Sequence, residues 1–176
     1  LDLTLFRIRT FSWGNTTAMT VAIGEFGLLL VLPLFLVNAY GLSTLGAGYV
    51  LAVMALGAFA SGASARFVTG KLGAPRTVML GLTLEVIGVL AFALYLRPSA
   101  SSVLLALLLA IYGMGLGLAS AQLTGTVLVD IPTAESGEGS AIQSTSRQLG
   151  AALGTAILGT VLSLGLAHSL TDRLES

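Results

Sequence analysis

Five predominantly apolar runs, each of about 20 residues or more, dominate this 176-residue chain and leave it few ways to fold. A run of that length matches the hydrocarbon thickness of a bilayer when it is helical. In lipid every backbone polar group must be satisfied inside the segment, which leaves the α-helix or a closed barrel. Barrel strands are short and alternate in polarity, whereas these runs are long and continuous. The spacing therefore predicts an all-α, polytopic membrane bundle with helices at about 12–38, 46–65, 77–96, 103–129 and 139–167. Composition agrees, with 55% hydrophobic and only 9% charged residues. A soluble domain carries about 25% charged residues.

The connections are short and punctuated. "YGLSTLG" is a glycine turn, "RFVTGKLGAPR" is basic, "RPSASS" is a proline-serine break, and "DIPTAESGE" is acidic with Pro132 closing the fourth run. No linker is long enough to separate domains, so the sequence reads as one bundle. Arg7, Arg9, Arg66, Lys71 and Arg76 fall on one set of helix ends; only Arg97 and Arg173 fall on the other. The bias of basic residues places the first set, and Leu1, in the cytoplasm. The chain opens without a basic leader, short apolar stretch and cleavage site, so no signal peptide is expected. Five spans put the termini on opposite sides, and the sequence reads as a piece of a longer chain.

Several function classes drop out. There is no cysteine, and His168 is the single histidine, so no metal centre is expected. No Ser-His-Asp set, two-histidine motif or phosphate loop appears, so the reading is not an enzyme and needs no cofactor. Zero net charge without a dense basic cluster does not fit nucleic acid.

The informative residues are those that interrupt the apolar runs. In the fourth, Gly113, Gly117, Ala121 and Gly125 recur every fourth residue, a face on which another helix can approach closely. The fifth helix is the expected neighbour, and Gly115 beside the stripe is expected to add flexibility. In the fifth run Ser140, Ser144, Arg147, Ala151 and Gly154 share a face, and Gly150 and Gly154 form a GxxxG pair. An arginine near a helix centre costs about 3 kcal/mol or more in lipid, so Arg147 is expected to face protein or water. It either locks the cytoplasmic helix ends or acts as a substrate or gating contact. Asp130, Glu135 and Glu138 are its acidic candidates, with the end of the fourth helix favoured. Glu25 in "TVAIGEFGLLL" and Glu85 in "GLTLEVIGVL" sit at membrane depth. Each either loads and releases a proton during transport or stays a neutral, hydrogen-bonded acid. Asn38, Gln122 and Gln143 either line a cavity or cross-link helices. Pro33 permits a kink in the first helix.

Three stretches carry a resemblance. "LDLTLFRIRTF", "GKLGAPRTVMLG" and, most specifically, "GMGLGLASAQLTGTVLVDIPTAESGEGSAIQSTSRQLGAALGTAILGTVL" resemble the second half of a fourteen-helix drug:proton antiporter of the major facilitator superfamily. The resemblance covers essentially the whole chain. It implies helices seven to eleven of a twelve-helix core, with the twelfth absent. It also implies alternating access in a bacterial cytoplasmic membrane, small amphiphilic substrates and protons as cargo, and an N-terminal half as partner. It places the first, fourth and fifth helices beside a central cavity, which favours Glu25 over Glu85 for proton coupling. Gly70 and Lys71 stand where the family often has an Asp-Arg pair, so the usual cytoplasmic charge relay lacks its acid. The alternative reading is an accessory helix bundle that packs with a partner and transports nothing.

Overall fold

Pro33, Gly41, Gly73 and Pro132 mark where the helices of the computed structural model bend or end. It describes residues 3–96 and 101–174, with side chains for 4–96 and 101–165; Arg97, His168 and Arg173 lie outside the described side chains. Five long helices follow one another: α1 (Arg9–Leu34), α2 (Thr44–Leu72), α3 (Ala74–Tyr95), α4 (Ser102–Val127) and α5 (Ser136–Leu174). A 3-10 turn, Leu3–Arg7, precedes α1, and another, Thr133–Glu135, precedes α5. There is no strand among the described residues, and all five helices are long and apolar enough to cross a membrane.

The helices outrun the apolar stretches that announced them. α2 continues to Leu72 through "RFVTGKL", and α5 begins at Ser136. Hydropathy marks where lipid ends, whereas backbone hydrogen bonding carries the helix on into the headgroup layer. α2 and α3 are joined by Gly73 alone. Its φ of +81° is a conformation that only glycine adopts without strain. Its N–H bonds the Thr69 carbonyl at 2.8 Å, its carbonyl accepts the Thr77 hydroxyl at 2.9 Å, and Pro75 follows in the first turn of α3. Arg66, Lys71 and Arg76 surround this corner, all exposed, with the Arg66 guanidinium 4.6 Å from the centre of the Phe67 ring. α1 ends less regularly. Pro33 lacks an N–H, and a π-helical turn over Phe35–Ala39 follows it. Gly41 at φ +79° then reverses the chain, and Ser43 caps α2 by accepting from the Gly46 N–H at 3.1 Å.

The chain divides into two units: Leu1–Phe35 with Asp130–Ser176, and Leu36–Val129. The second holds α2, α3 and α4. Here the small-residue stripe finds its partner, and the expectation that it meets the fifth helix is corrected. A Cβ on Gly113 would run into the Met54 carbonyl, and one on Gly117 into the Ala58 carbonyl and Ser61 hydroxyl, so this face of α4 lies against α2. Contacts at Met54–Gly113 and Ala58–Gly117 advance together, so the two helices are parallel. Gly115 is a packing residue too, not a flexible one: a Cβ there would stand 2.5 Å from both the Gly81 carbonyl oxygen and the Glu85 nitrogen of α3. Gly88 meets Tyr112 and Gly81 meets Ala119, so α3 and α4 are antiparallel. Ala121 and Gly125 are exposed, and a Cβ on Gly125 meets nothing. The stripe therefore uses its first two members and leaves its last two outward, because four-residue spacing drifts around a helix of 3.6 residues per turn.

This contrast sets a prediction. Gly117→Val forces α4 off α2 and costs about 1–3 kcal/mol or more of overpacking. Gly125→Ala changes stability by less than about 0.5 kcal/mol. Thermal unfolding of the two variants in detergent micelles checks this, and equal midpoints would overturn the assignment of the stripe to α2.

The outer faces are apolar. Trp13 is 71% exposed, Phe59 76% and Leu94 78%, with further large apolar side chains outward on all five helices. Water would not tolerate that surface on a monomer; hydrocarbon does. The chain is a multi-pass membrane protein.

Candidate functional site

The first unit pairs the two chain-distant helices α1 and α5. Gly150 of α5 sits on the Met19 carbonyl and the Ala22 side chain, and Gly154 sits on the Ile23 carbonyl. Gly27 of α1 returns the contact, with its Cβ position 3.1 Å from the Gly154 carbonyl and 2.8 Å from Leu158. Residue numbers rise together along both helices, so they run parallel. Glycines let the two backbones touch, the form of association that van der Waals packing favours in lipid.

The first turns of this pair are polar on both sides: "SWGNTT" in α1 and "SGEGSAIQSTSRQ" in α5. Threonine hydroxyls there are satisfied within their own helices. Thr16 donates to the Ser12 carbonyl, Thr17 to Trp13, Thr20 to Thr16 and Thr145 to Ala141, at 2.9–3.0 Å. Such bonds let a hydroxyl sit in a membrane helix without an external donor or acceptor.

Within this seam Arg147 meets Glu25. The guanidinium Nη2 lies 3.4 Å from the Glu25 Oε2, with the side chains 27% and 11% exposed respectively. That distance exceeds the roughly 2.7–2.9 Å of a tight charge-assisted bond, so charge more than hydrogen bonding holds the pair. The partner expected from sequence is corrected. Asp130 accepts a hydrogen bond from the Thr10 hydroxyl, and the carboxylate beside Arg147 is Glu25 of α1. Asp130, Glu135 and Glu138 are the acids nearest in sequence, and spacing along one helix gives no way to see the one contributed by another.

The remaining candidates are placed as follows. Gln143, one turn before Arg147, is 3% exposed on α5. Gln122 is half-buried on α4, its carbonyl accepting the Thr126 hydroxyl at 2.9 Å. Asn38 is exposed in the π-helical turn, and Glu85 lies on the face of α3 that meets Gly115. Glu85, Gln122 and Asn38 belong to the second unit. Asn15, which the sequence reading passed over, is 3% exposed on α1 and donates through Nδ2 to the Phe11 carbonyl at 2.9 Å. Its signal was legible: an amide between apolar positions 11 and 18, four and three residues away. No group of three or more histidine, cysteine or acidic side chains is placed to hold a metal among the described residues.

The family model described as Major Facilitator Superfamily matches residues 2–155. The chain belongs to the major facilitator superfamily. Relatives within this superfamily are similar along nearly all of the chain. The multidrug resistance protein Stp of Mycobacterium tuberculosis is 29% identical over 99% of this chain and 32% of its own length. The riboflavin transporter RibZ of Clostridioides difficile is 30% identical over 96% of this chain and 37% of its own. The multidrug efflux pump LfrA of Mycolicibacterium smegmatis is 29% identical over 93% and 32%. The chain thus spans about a third of the length of the curated relatives it matches. No solved structure matches it.

Proposed function

We propose that these helices work within a longer proton-coupled efflux transporter that moves small amphiphilic molecules by alternating access. The Glu25–Arg147 pair carries this reading. A carboxyl group held beside an arginine at membrane depth has two states: ionised and paired, or protonated and released. Proton loading at Glu25 removes the charge that holds α5 to α1 at that level, so occupancy by a proton and the packing of these helices are linked. The multidrug relatives support a drug-like substrate, and substrate would bind near the midplane between these helices and the rest of the transporter. The chain is then a partial C-terminal half of the fourteen-helix antiporter branch. It would lie in a bacterial cytoplasmic membrane, with Arg7, Arg9 and the Arg66–Arg76 corner cytoplasmic.

The test uses the full-length protein in inverted membrane vesicles with an imposed pH gradient and a fluorescent amphiphilic dye. Dye uptake should follow the gradient and collapse when a protonophore is added. Uptake that survives the protonophore would remove proton coupling from the reading.

A further inference from the structure

The α2–α3 corner carries Arg66, Lys71 and Arg76 and has no counter-charge of its own. The sequence holds no acid from Phe26 to Leu84, and Glu85 is the single acid of the Leu36–Val129 unit. Glu85 stands nine positions beyond Arg76, about 14 Å along α3. None of the three cations makes an ion pair among the described residues. They also point away from the packed faces. Successive helical residues turn by about 100°. Met54, Ser61 and Ala65 form the buried face of α2, and Arg66, Phe67 and Lys71 stand exposed on the opposite side. On α3, Val78 and Gly81 are buried, while Arg76 and Met79 are exposed on the other side. The Thr69 and Thr77 hydroxyls, 3.3 Å apart, hold the two helix ends together.

The depth of the corner follows from the opposite end of the same two helices. Tyr49 and Tyr95 are exposed there, and tyrosine favours the membrane–water boundary. Seventeen positions separate Tyr49 from Arg66, and nineteen separate Arg76 from Tyr95. These are about 26 Å and 29 Å of helix, close to the roughly 30 Å of a hydrocarbon core. With the tyrosines at one boundary, the three cations lie at the other, level with lipid phosphates. We propose that this corner binds the headgroup of an anionic phospholipid, with Arg66, Lys71 and Arg76 around its phosphate and Phe67 and Met79 against its acyl chains. The Arg66 guanidinium already lies 4.6 Å from the centre of the Phe67 ring. Such a pair offers an apolar ring to the chains and a charge to the headgroup. A diacyl lipid meets both the charge and the apolar side chains, whereas a free phosphate meets only the charge.

Two measurements on the full-length protein test this. In the first, purified protein in detergent is titrated with phosphatidylglycerol or phosphatidylcholine, and bound lipid is counted by native mass spectrometry. A cation at this level strengthens binding of an anionic lipid about fivefold. Arg66→Gln, Lys71→Gln and Arg76→Gln together should therefore remove one phosphatidylglycerol adduct and lower its preference over phosphatidylcholine at least about tenfold. Arg66→Lys with Arg76→Lys keeps the charge and should keep the adduct. An unchanged preference in the triple Gln variant overturns the site. Glycerol phosphate, which has the anion without acyl chains, should not displace the lipid at equal concentration; displacement would make the corner a site for free phosphate. The second measurement keeps all three cations. A photoreactive benzophenone side chain replaces Phe67, and native membranes are irradiated. The crosslinked peptide should gain the mass of a phospholipid, with the anionic class well above its share of the membrane. A crosslink to another segment of the protein, or lipids in plain proportion to their abundance, overturns the assignment.

Discussion

Glu25→Gln abolishes export driven by a pH gradient, to the level of vesicles without the transporter, while folded protein accumulates in the membrane as before. The amide keeps the shape of the carboxyl and can still accept from Arg147, but it cannot ionise, so it cannot carry a proton between states. The ion pair it removes is modest as a stabiliser. At 3.4 Å the contact is longer than a tight charge-assisted bond, and the glutamine oxygen keeps an acceptor in the same place. Loss of function should therefore far exceed loss of stability. Dye binding at fixed pH, measured alongside gradient-driven uptake, separates the two. Unchanged uptake would move Glu25 to a purely structural role.

Arg147→Ala is the harsher change. It leaves the Glu25 carboxylate, 11% exposed, at membrane depth without its cation. Breaking a pair by deleting one partner costs more than deleting both, because the survivor keeps its desolvation. Folded protein should fall several-fold, and gradient-driven export per folded transporter should fall at least tenfold, about 1.4 kcal/mol of coupling. An arginine that spanned several carbonyls and a carboxylate would not tolerate lysine. A single 3.4 Å contact to one oxygen asks only for a positive charge, so lysine should retain most of the activity. If lysine is as damaging as alanine, the planar guanidinium has partners beyond Glu25. If alanine chiefly lowers the amount of folded protein and Glu25→Gln in the same chain restores it, the pair is a structural lock.

The helix count was legible because lipid imposes a length, and apolar runs of that length have no other use. The ends of α2 and α5 were less so, since a helix can leave the hydrocarbon while its hydrogen bonds continue. Which helix meets which was not legible. The Gly113–Gly117 face announced that something would pack there, but a four-residue repeat marks a face without naming its neighbour, and the neighbour proved to be α2. Arg147 raised the same problem: acids close in sequence stood out, and the one that meets it lies 122 residues away. The π-helical turn after Pro33 left no pattern beyond the proline itself. The spacing of Asn15 from Phe11 and Ala18 is a weak signal, because the surrounding "GNTTAMT" looks like an ordinary polar start to a helix.

The parallel pairing of α1 with α5 has a consequence for how the chain is made. Two parallel neighbours cannot be joined by a tight turn, and here the whole α2–α4 unit is synthesised between them. At about 5–20 residues per second, the 122 residues separating Glu25 from Arg147 take about 6–25 s to emerge. For that interval α1 is without α5: Glu25 lacks Arg147, and Gly27 lacks the Gly154–Leu158 face on which it packs. A nascent chain truncated after α4 should therefore hold α1 loosely, open to extraction or to degradation by membrane proteases, and should become resistant only once α5 has been inserted beside it.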